Sequence, residues 1–336
     1  MKKRLLPLLL ALALLAGCAG PTGDSSSPKD DNTLTVVTTT YPLYLLASAL
    51  TRAVDGAAVL RLDTGSASCL HDYTLSVNDM KKLAQADVIA LNGAELEEFM
   101  DDALDSSSAL PIDCSRNVTL LPALDSHDVE EDHDHDDHDH DDHDHDHDDH
   151  DHDHGDTDPH IWMDPQRYAQ MAEALAAGLT QAAPDHAAVY EAALNDVTAR
   201  LRDWDADLRA LFDEARQKGL DLSGLITFHD GFQYFAAAYG LPLLASIEEE
   251  AGSEASAKEI VEITEEVHHH HIPVIFTEVN GSDATAQAIA RETGCAVEQL
   301  TMIMDGPDDQ LENYYDALLA NAKAVIDGFA GEELVK

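Results

Sequence analysis

An uninterrupted helical pattern in the middle of the chain limits what the rest can fold into. After Pro184, no glycine or proline occurs up to Lys218, and large apolar residues recur at alternating spacings of four and three. They are Tyr190, Leu194, Val197, Leu201, Trp204, Leu208 and Leu211. This spacing predicts one apolar stripe along a helix that would be roughly 50 Å long. We prefer a strut along two lobes of one monomer to a coiled-coil dimer seam, because the polar face lacks a clear e/g charge pattern.

Short apolar strand patterns alternate with helical patterns on both sides of this segment, as in doubly wound α/β folds. Predicted strands lie at 34–40, 58–62, 87–92 and 118–121, then at 224–228, 242–247, 273–278 and 296–301. Helix starts are marked by Asp164-Pro165 and by the capping-box pattern Ser256-Ala257-Lys258-Glu259. We therefore predict an α/β fold of two doubly wound lobes, 33–183 and 219–336, joined by one long rigid helix at 184–218.

The N-terminal segment has the pattern of an export signal. Lys2-Lys3-Arg4 precedes an apolar run, Leu5 to Ala16, that is too short to span a bilayer. The junction Leu15-Ala16-Gly17-Cys18 resembles the lipobox of bacterial lipoproteins, in which cleavage leaves a lipidated cysteine. We expect a signal peptide at 1–17, lipidation of Cys18 and a flexible tether at 18–32. The mature protein would then be anchored on the outer face of a membrane.

A second unusual segment, 127–156, is dominated by aspartate and histidine and has no apolar side chain between His133 and His154. Such a segment cannot bury enough surface to offset the entropy of ordering its backbone, so we expect a disordered loop. Imidazole beside carboxylate suits zinc, whereas a merely solubilising loop would need only carboxylates. We predict accessory metal ligands without the fixed geometry of a selective site. They are His133, His135, His138, His140, His143, His145, His147, His150, His152 and His154.

Charge and cysteine content narrow the function classes. The formal net charge of -47 argues against nucleic acid or anionic lipid as a partner and is compatible with a cationic ligand. Apart from Cys18, the cysteines are Cys69, Cys114 and Cys295, an odd number that allows at most one bridge. We predict a disulfide between Cys69 and Cys114, which would fall in the same lobe. The alternative is that Cys69 is a thiolate metal ligand.

Four side chains stand where the predicted lobes would present a ligand site. His229 and Asp305 follow predicted strands, while His71 and His160 stand in loops that lead into predicted helices. In open α/β sheets, ligands bind beyond the carboxyl ends of the strands. Two residues from each lobe would thus place an ion in the cleft between the lobes. Three imidazoles with one carboxylate suit tetrahedral zinc, whereas manganese prefers more oxygen ligands.

The segments that carry these residues have recognisable motifs. They are His71-Asp72-Tyr73, Pro159-His160-Ile161-Trp162-Met163-Asp164-Pro165, Phe228-His229-Asp230-Gly231-Phe232 and Met304-Asp305-Gly306-Pro307. In these motifs the chain resembles the metal-specific solute-binding lipoproteins of ABC importers, the ZnuA/TroA-like or cluster A-I family. The resemblance covers the chain after the tether. It implies a receptor that binds Zn²⁺ through His71, His160, His229 and Asp305 and delivers it to an ABC permease.

The sequence departs from the family pattern in two of these segments. Around His71 the usual prolines are replaced by Cys69-Leu70 and Thr74-Leu75, and Gly306 stands between Asp305 and Pro307. Asp305 is therefore the least secure ligand, with Glu278 or water as its alternative.

Other classes share part of this chemistry. A manganese receptor of the same type, or a surface zinc buffer or adhesin, is the alternative, and a zinc hydrolase is the least favoured. The chain has no His-Glu-x-x-His helix and no evident base beside the ligands, so we do not expect an enzyme. Outside the motifs, His268 to His271 either interact with a helix dipole or form an accessory metal site.

Overall fold

A computed structural model describes residues 33–64, 70, 73–124, 157–222, 224–248, 256–279 and 281–335. Residues 34–336 form one compact unit. The predicted signal, tether and lipidation site, the Asp/His loop, Cys69 and His71 lie outside the described residues. Within the described ranges, no helix has the length and apolar character needed to cross a membrane.

The first sheet contains four parallel strands in the order β2-β1-β3-β4. They are β1 Thr35–Thr38, β2 Ala58–Arg61, β3 Val88–Leu91 and β4 Leu110–Asp113. Three predicted strands are confirmed, but the predicted strand at 118–121 is wrong, because the fourth strand lies earlier, at β4. Pro111 weakens the strand pattern of β4 in the sequence. It is tolerated because β4 is an edge strand, where a missing N–H removes no central ladder bond.

The second sheet has the corresponding order β6-β5-β7-β8, again with parallel neighbours. Its strands are β5 Leu225–His229, β6 Leu243–Glu248, β7 Val274–Glu278 and β8 Ala296–Leu300. All four predicted strands are confirmed. Thr227 of β5 is paired with Phe276 of β7, so the last residues of these two strands, His229 and Glu278, reach the same carboxyl edge.

Helices cover the sheets and connect the strands. They are α1 Tyr41–Thr51, α2 Val77–Leu83, α3 Asp101–Ser106, α4 Pro165–Ala182, α5 Ala187–Gln217, α6 Gln233–Tyr239, α7 Ala257–His269, α8 Ala284–Thr293 and α9 Glu312–Ala330. The predicted caps are confirmed: Asp164 accepts the N–H of Gln166 at the start of α4, and Ser256 and Glu259 form a capping box on α7.

The long helix predicted at 184–218 is confirmed as α5, which follows a single 3-10 turn at Pro184–His186. Its stripe residues Tyr190, Val197, Leu201 and Leu208 are fully buried or nearly so. They belong to one core cluster that also includes residues of both sheets. The apolar spacing therefore serves packing within one chain. The fold is the predicted one, two α/β lobes joined by a long helix.

Hydrogen bonds from buried aromatic side chains tie the two halves together around this core. The indole Nε1 of Trp162 donates to the carbonyl oxygen of Met302 at 2.8 Å. The hydroxyl of Tyr314 donates to the carbonyl oxygen of Trp162 at 2.7 Å. Within the first half, Tyr168, which is stacked on Tyr314 of the second half, donates to the carbonyl oxygen of Pro42 at 2.6 Å. These bonds satisfy polar groups that would otherwise be costly to bury.

We expect Leu201→Ala to lower the free energy of unfolding by about 2–5 kcal/mol, because it opens a cavity in the shared core. Urea denaturation with a metal chelator present measures this change. Glu191→Ala, at an exposed position of the same helix, is the matched control and should change stability by less than about 0.5 kcal/mol. Equal effects of the two substitutions would contradict the packing role of the stripe.

Candidate metal centre

His160 lies in the segment that leads into α4. A single 3-10 turn, Ile161–Met163, separates it from the start of that helix. The side chain is 4% exposed, and both its ring Nδ1 and its backbone N–H lie 2.8 Å from Oδ1 of Asp158. When Nδ1 carries the hydrogen and donates it to Asp158, the lone pair is on Nε2 and is available to a cation.

The backbone beside His160 is itself held by side chains from elsewhere in the fold. The amide Nδ2 of Asn92 donates to the carbonyl oxygen of Pro159 at 2.8 Å. The hydroxyl of Tyr234 donates to the carbonyl oxygen of Asp158 at 2.8 Å and accepts the N–H of Leu121 at 2.9 Å. The position of the imidazole is thus fixed by residues of both halves of the chain.

His229 approaches from the second sheet. It is the last residue of β5, is 2% exposed, and is followed by a 3-10 turn, Asp230–Phe232. Glycine is required in that turn, because a Cβ on Gly231 would lie 2.9 Å from ring atoms of His160 and 2.3 Å from Cε of Met302. The absence of a side chain at Gly231 allows the two histidines to come together.

The two imidazoles meet through their Nε2 atoms, which are 3.3 Å apart. Two nitrogens that bind one tetrahedral zinc ion at about 2.0–2.1 Å are separated by roughly the same distance. Asp230 completes a group whose potential ligand atoms all lie within 4.8 Å of one another, with its Oδ1 3.6 Å from Nδ1 of His229. The geometry therefore fits a divalent cation bound between the two lobes.

Glu278, the last residue of β7, supplies the strongest electrostatic sign of a cation site. Its side chain is 3% exposed, and neither carboxylate oxygen has a hydrogen-bond partner within the described structure. Burial raises the pKa of Glu278 to about 7, although the charge of His160 acts in the opposite direction. A buried carboxylate without hydrogen bonds is costly unless a cation neutralises it.

The imidazole of His160 has its own perturbed pKa. Burial favours the neutral ring, but the hydrogen bond and charge of Asp158 outweigh it, assisted by the charges of Asp230 and Glu278, so the pKa is raised. The same negative groups that attract a proton here would attract a metal cation. Proton and metal would therefore compete for this pocket.

Asp305, another predicted ligand, is paired elsewhere. The Asp305 side chain is 55% exposed and forms a 2.8 Å ion pair with Arg61. Burial acts to raise its pKa, but the hydrogen bonds from Arg61 and the Gly306 N–H prevail, and the pKa is lowered. Arg61 lies 244 residues away from Asp305 in the sequence, so no local pattern indicates this pair. Asp305 is thus paired with Arg61, whereas Glu278, the predicted alternative, has no hydrogen-bond partner among the described residues; His71 falls outside the described residues.

The predicted disulfide receives no support from the structure. Cys114 is a free, fully buried cysteine, and Cys69 is outside the described residues. Burial, followed by the charges of Glu97 and Asp113, raises the pKa of the Cys114 thiol. Such a thiol is an inert core side chain.

Sequence reasoning missed two carboxylates of the centre, Asp158 and Asp230. Each had a local signal. Asp158 stands two residues before His160, where Asp-Pro favours a turn that can return the carboxylate to the backbone N–H. Asp230 is adjacent to His229 at the end of a strand, and is thereby carried to the same carboxyl edge.

The ends of the Asp/His segment meet beside this centre. Pro122 and Thr157 form an antiparallel bridge, and the N–H of Asp158 donates to the carbonyl oxygen of Leu121 at 2.9 Å. The described residues on either side of 125–156 therefore lie next to each other, and Thr157 stands three residues before His160.

Comparisons with known proteins agree with this architecture. The family model of ZnuA, described as zinc-uptake complex component A, periplasmic, matches residues 36–328. The zinc-binding lipoprotein AdcA of Streptococcus pneumoniae (strain ATCC BAA-255 / R6) is 28% identical over 328 residues, which cover 96% of this chain and 59% of the relative. The high-affinity zinc uptake system protein ZnuA of Bacillus subtilis (strain 168) is 26% identical over 320 residues, which cover 94% of this chain and 93% of the relative.

A solved structure extends the likeness to three dimensions. A crystal structure of ZnuA matches with a TM-score of 0.68 at 23% identity and covers 87% of this chain and 99% of that chain. At this identity the likeness establishes the fold. The chain spans 59% of the length of the AdcA relative, but the family model extends over nearly all of the described residues. The chain therefore belongs to the ZnuA family of periplasmic zinc-uptake components.

Proposed function

We propose that this protein is an extracytoplasmic zinc receptor that captures Zn²⁺ in the cleft between its lobes and delivers it to an ABC-type permease. The observation that carries the proposal is the buried pair of Nε2 atoms 3.3 Å apart, contributed by His160 and His229, one from each half of the chain. Membership of a zinc-uptake family and the names of its relatives support zinc as the cargo.

The proposed ligands are His71, His160, His229 and Glu278. Glu278 takes the place first expected for Asp305, because its carboxylate is buried without hydrogen bonds whereas Asp305 is paired with Arg61. For His71, the support comes from its neighbours. Leu70 is 1% exposed, and its carbonyl oxygen accepts the N–H of Tyr73 at 2.9 Å, so both ends of the segment carrying His71 are fixed.

Imidazole-rich coordination favours zinc over manganese, which prefers oxygen ligands. The proposed role is transport and not catalysis, since a receptor needs all its ligands to hold the ion, whereas a catalytic zinc keeps an open position for water. We further propose that the protein works as a monomer, attached through a lipid at Cys18 to the outer face of the membrane that contains its permease.

Removing residues 127–156 should leave one tight zinc site and abolish weaker binding by the Asp/His segment. The reason is that His160 and His229 are held by the fold, and the ends of the segment already meet at Pro122 and Thr157. Competition titration against a zinc chelator, with the full chain as control, measures both classes of site. Loss of the tight site with the deletion would mean that the segment itself is the receptor.

Glu278→Gln should weaken zinc binding by roughly tenfold or more, because a neutral amide replaces the anionic ligand. At pH 8 the same change should stabilise the metal-free protein, by an amount on the order of 2 kcal/mol. The direction of this effect follows from the raised pKa of Glu278. Below pH 4.5 the carboxyl is protonated in both the folded and the unfolded protein, and its contribution to the free energy of unfolding is most favourable. That contribution is lost as the pH rises through about 7.

Asp305→Asn is the matched control for Glu278→Gln, and it should change zinc affinity by less than about threefold, as expected for an exposed charge. Zinc titration and urea unfolding with a chelator provide the two readouts. An equal loss of affinity in the two variants, or a larger loss for Asp305→Asn, would restore Asp305 as the fourth ligand.

Zinc affinity should fall steeply between pH 8 and pH 6. His160, whose pKa is raised, must lose its proton to bind metal, and Glu278, with a pKa of about 7, must also be ionised. Each displaced proton lowers the affinity by about tenfold per pH unit below the relevant pKa. Competition titrations across this range test the slope, which should be shallower for Glu278→Gln. A slope that is unchanged in the variant would exclude Glu278 as a titrating ligand.

A further inference from the structure

Four consecutive histidines, His268 to His271, close α7 at a surface that the cleft site does not use. All four are exposed. Imidazoles at a helix C-terminus commonly interact with the helix dipole, but that role needs only one cationic side chain. The arrangement of this group indicates a more specific use.

The backbone of the group is fixed by a Schellman motif. The N–H of Ile272 donates to the carbonyl oxygen of Val267 at 3.0 Å, and the N–H of His271 to that of His268 at 3.4 Å. Ile272 and Val267 are buried in one apolar cluster, so the turn is anchored to the core. His271 has a φ of +53°, at a position that usually favours glycine. The histidines are thus displayed on an ordered turn.

On this turn, the imidazole of His270 lies close to two other potential ligands, Glu266 and His269. Nε2 of His270 lies 3.2 Å from Oε2 of Glu266, one helical turn earlier. The same Nε2 lies 3.3 Å from Nδ1 of His269, and the two rings are in edge-to-face contact with their centroids 4.6 Å apart. His270 therefore has a carboxylate oxygen and an imidazole nitrogen within 3.3 Å of its own Nε2.

We propose that Glu266, His269 and His270 form a second, exposed binding site for Zn²⁺. Ligand atoms bound to one zinc ion at about 2.0–2.2 Å lie roughly 3.3–3.5 Å apart in tetrahedral geometry. The two separations made by His270 have this value. A carboxylate and two imidazoles are suitable donors, and the negative end of the α7 dipole adds to the attraction for a cation.

This site differs in kind from the cleft site. The side chains of His270 and Glu266 are 42% and 37% exposed, so solvent completes the coordination and the ion exchanges readily. We therefore expect weaker binding than in the cleft. The site would hold zinc at the protein surface without enclosing it.

The test uses the chain without residues 127–156, so that the Asp/His segment does not contribute. Equilibrium dialysis against buffered free Zn²⁺ should show one weakly bound zinc ion in addition to any bound in the cleft. The double variant His269→Gln and His270→Gln should lose the weakly bound zinc ion and leave tight zinc binding in the cleft unchanged. Glu266→Gln alone should weaken the second site by about tenfold.

His268→Gln is the matched control, because it removes a histidine from the same run without touching the proposed ligands. This control should retain the weakly bound zinc ion. Far-ultraviolet circular dichroism should show equal helix content in all variants. The proposal is overturned if no weak ion binds, if the double variant retains it, or if His268→Gln abolishes it as completely. These outcomes do not depend on whether the cleft binds zinc, since the two classes of site are counted separately.

Discussion

The candidate metal centre depends on holding two buried imidazole nitrogens 3.3 Å apart. Burial of polar rings at this separation has to be compensated by hydrogen bonds and by charge. Asp158 provides the compensation for His160 by accepting from both its backbone and its ring. Gly231 provides the space, since any side chain there would meet the same ring. The centre is therefore defined as much by an orienting carboxylate and a glycine as by its ligands.

Glu278 is the second constraint at this site. Glu278 lies buried with both oxygens lacking hydrogen bonds among the described residues, at the end of the strand next to the one that carries His229. A buried carboxylate without hydrogen bonds costs stability unless a cation neutralises it. Binding of a ligand to the native state raises the free energy of unfolding with the logarithm of the ligand concentration above its dissociation constant, so a cation bound at this site would stabilise the folded protein.

The sequence predicted local features well and long-range pairing poorly. Strands such as β5 and β7, and caps such as Asp164, depend on neighbouring residues and were found. Strand β4 was missed because Pro111 is acceptable only at a sheet edge, which the local pattern does not reveal. His160 and His229 were identified from their positions at element ends. The sequence favours Asp305 over Glu278 as a ligand. The ion pair that occupies Asp305 joins it to Arg61, which is distant in sequence, so no local pattern reveals it.

The junction at Pro122 and Thr157 has a further consequence. Because the fold itself brings these two residues together, the intervening segment does not have to position anything on which the core depends. The entropy of closing a loop between fixed ends grows only logarithmically, by about 0.6 kcal/mol for each doubling of its length. A change in the length of the sequence between these two residues would therefore have little effect on the stability of the protein.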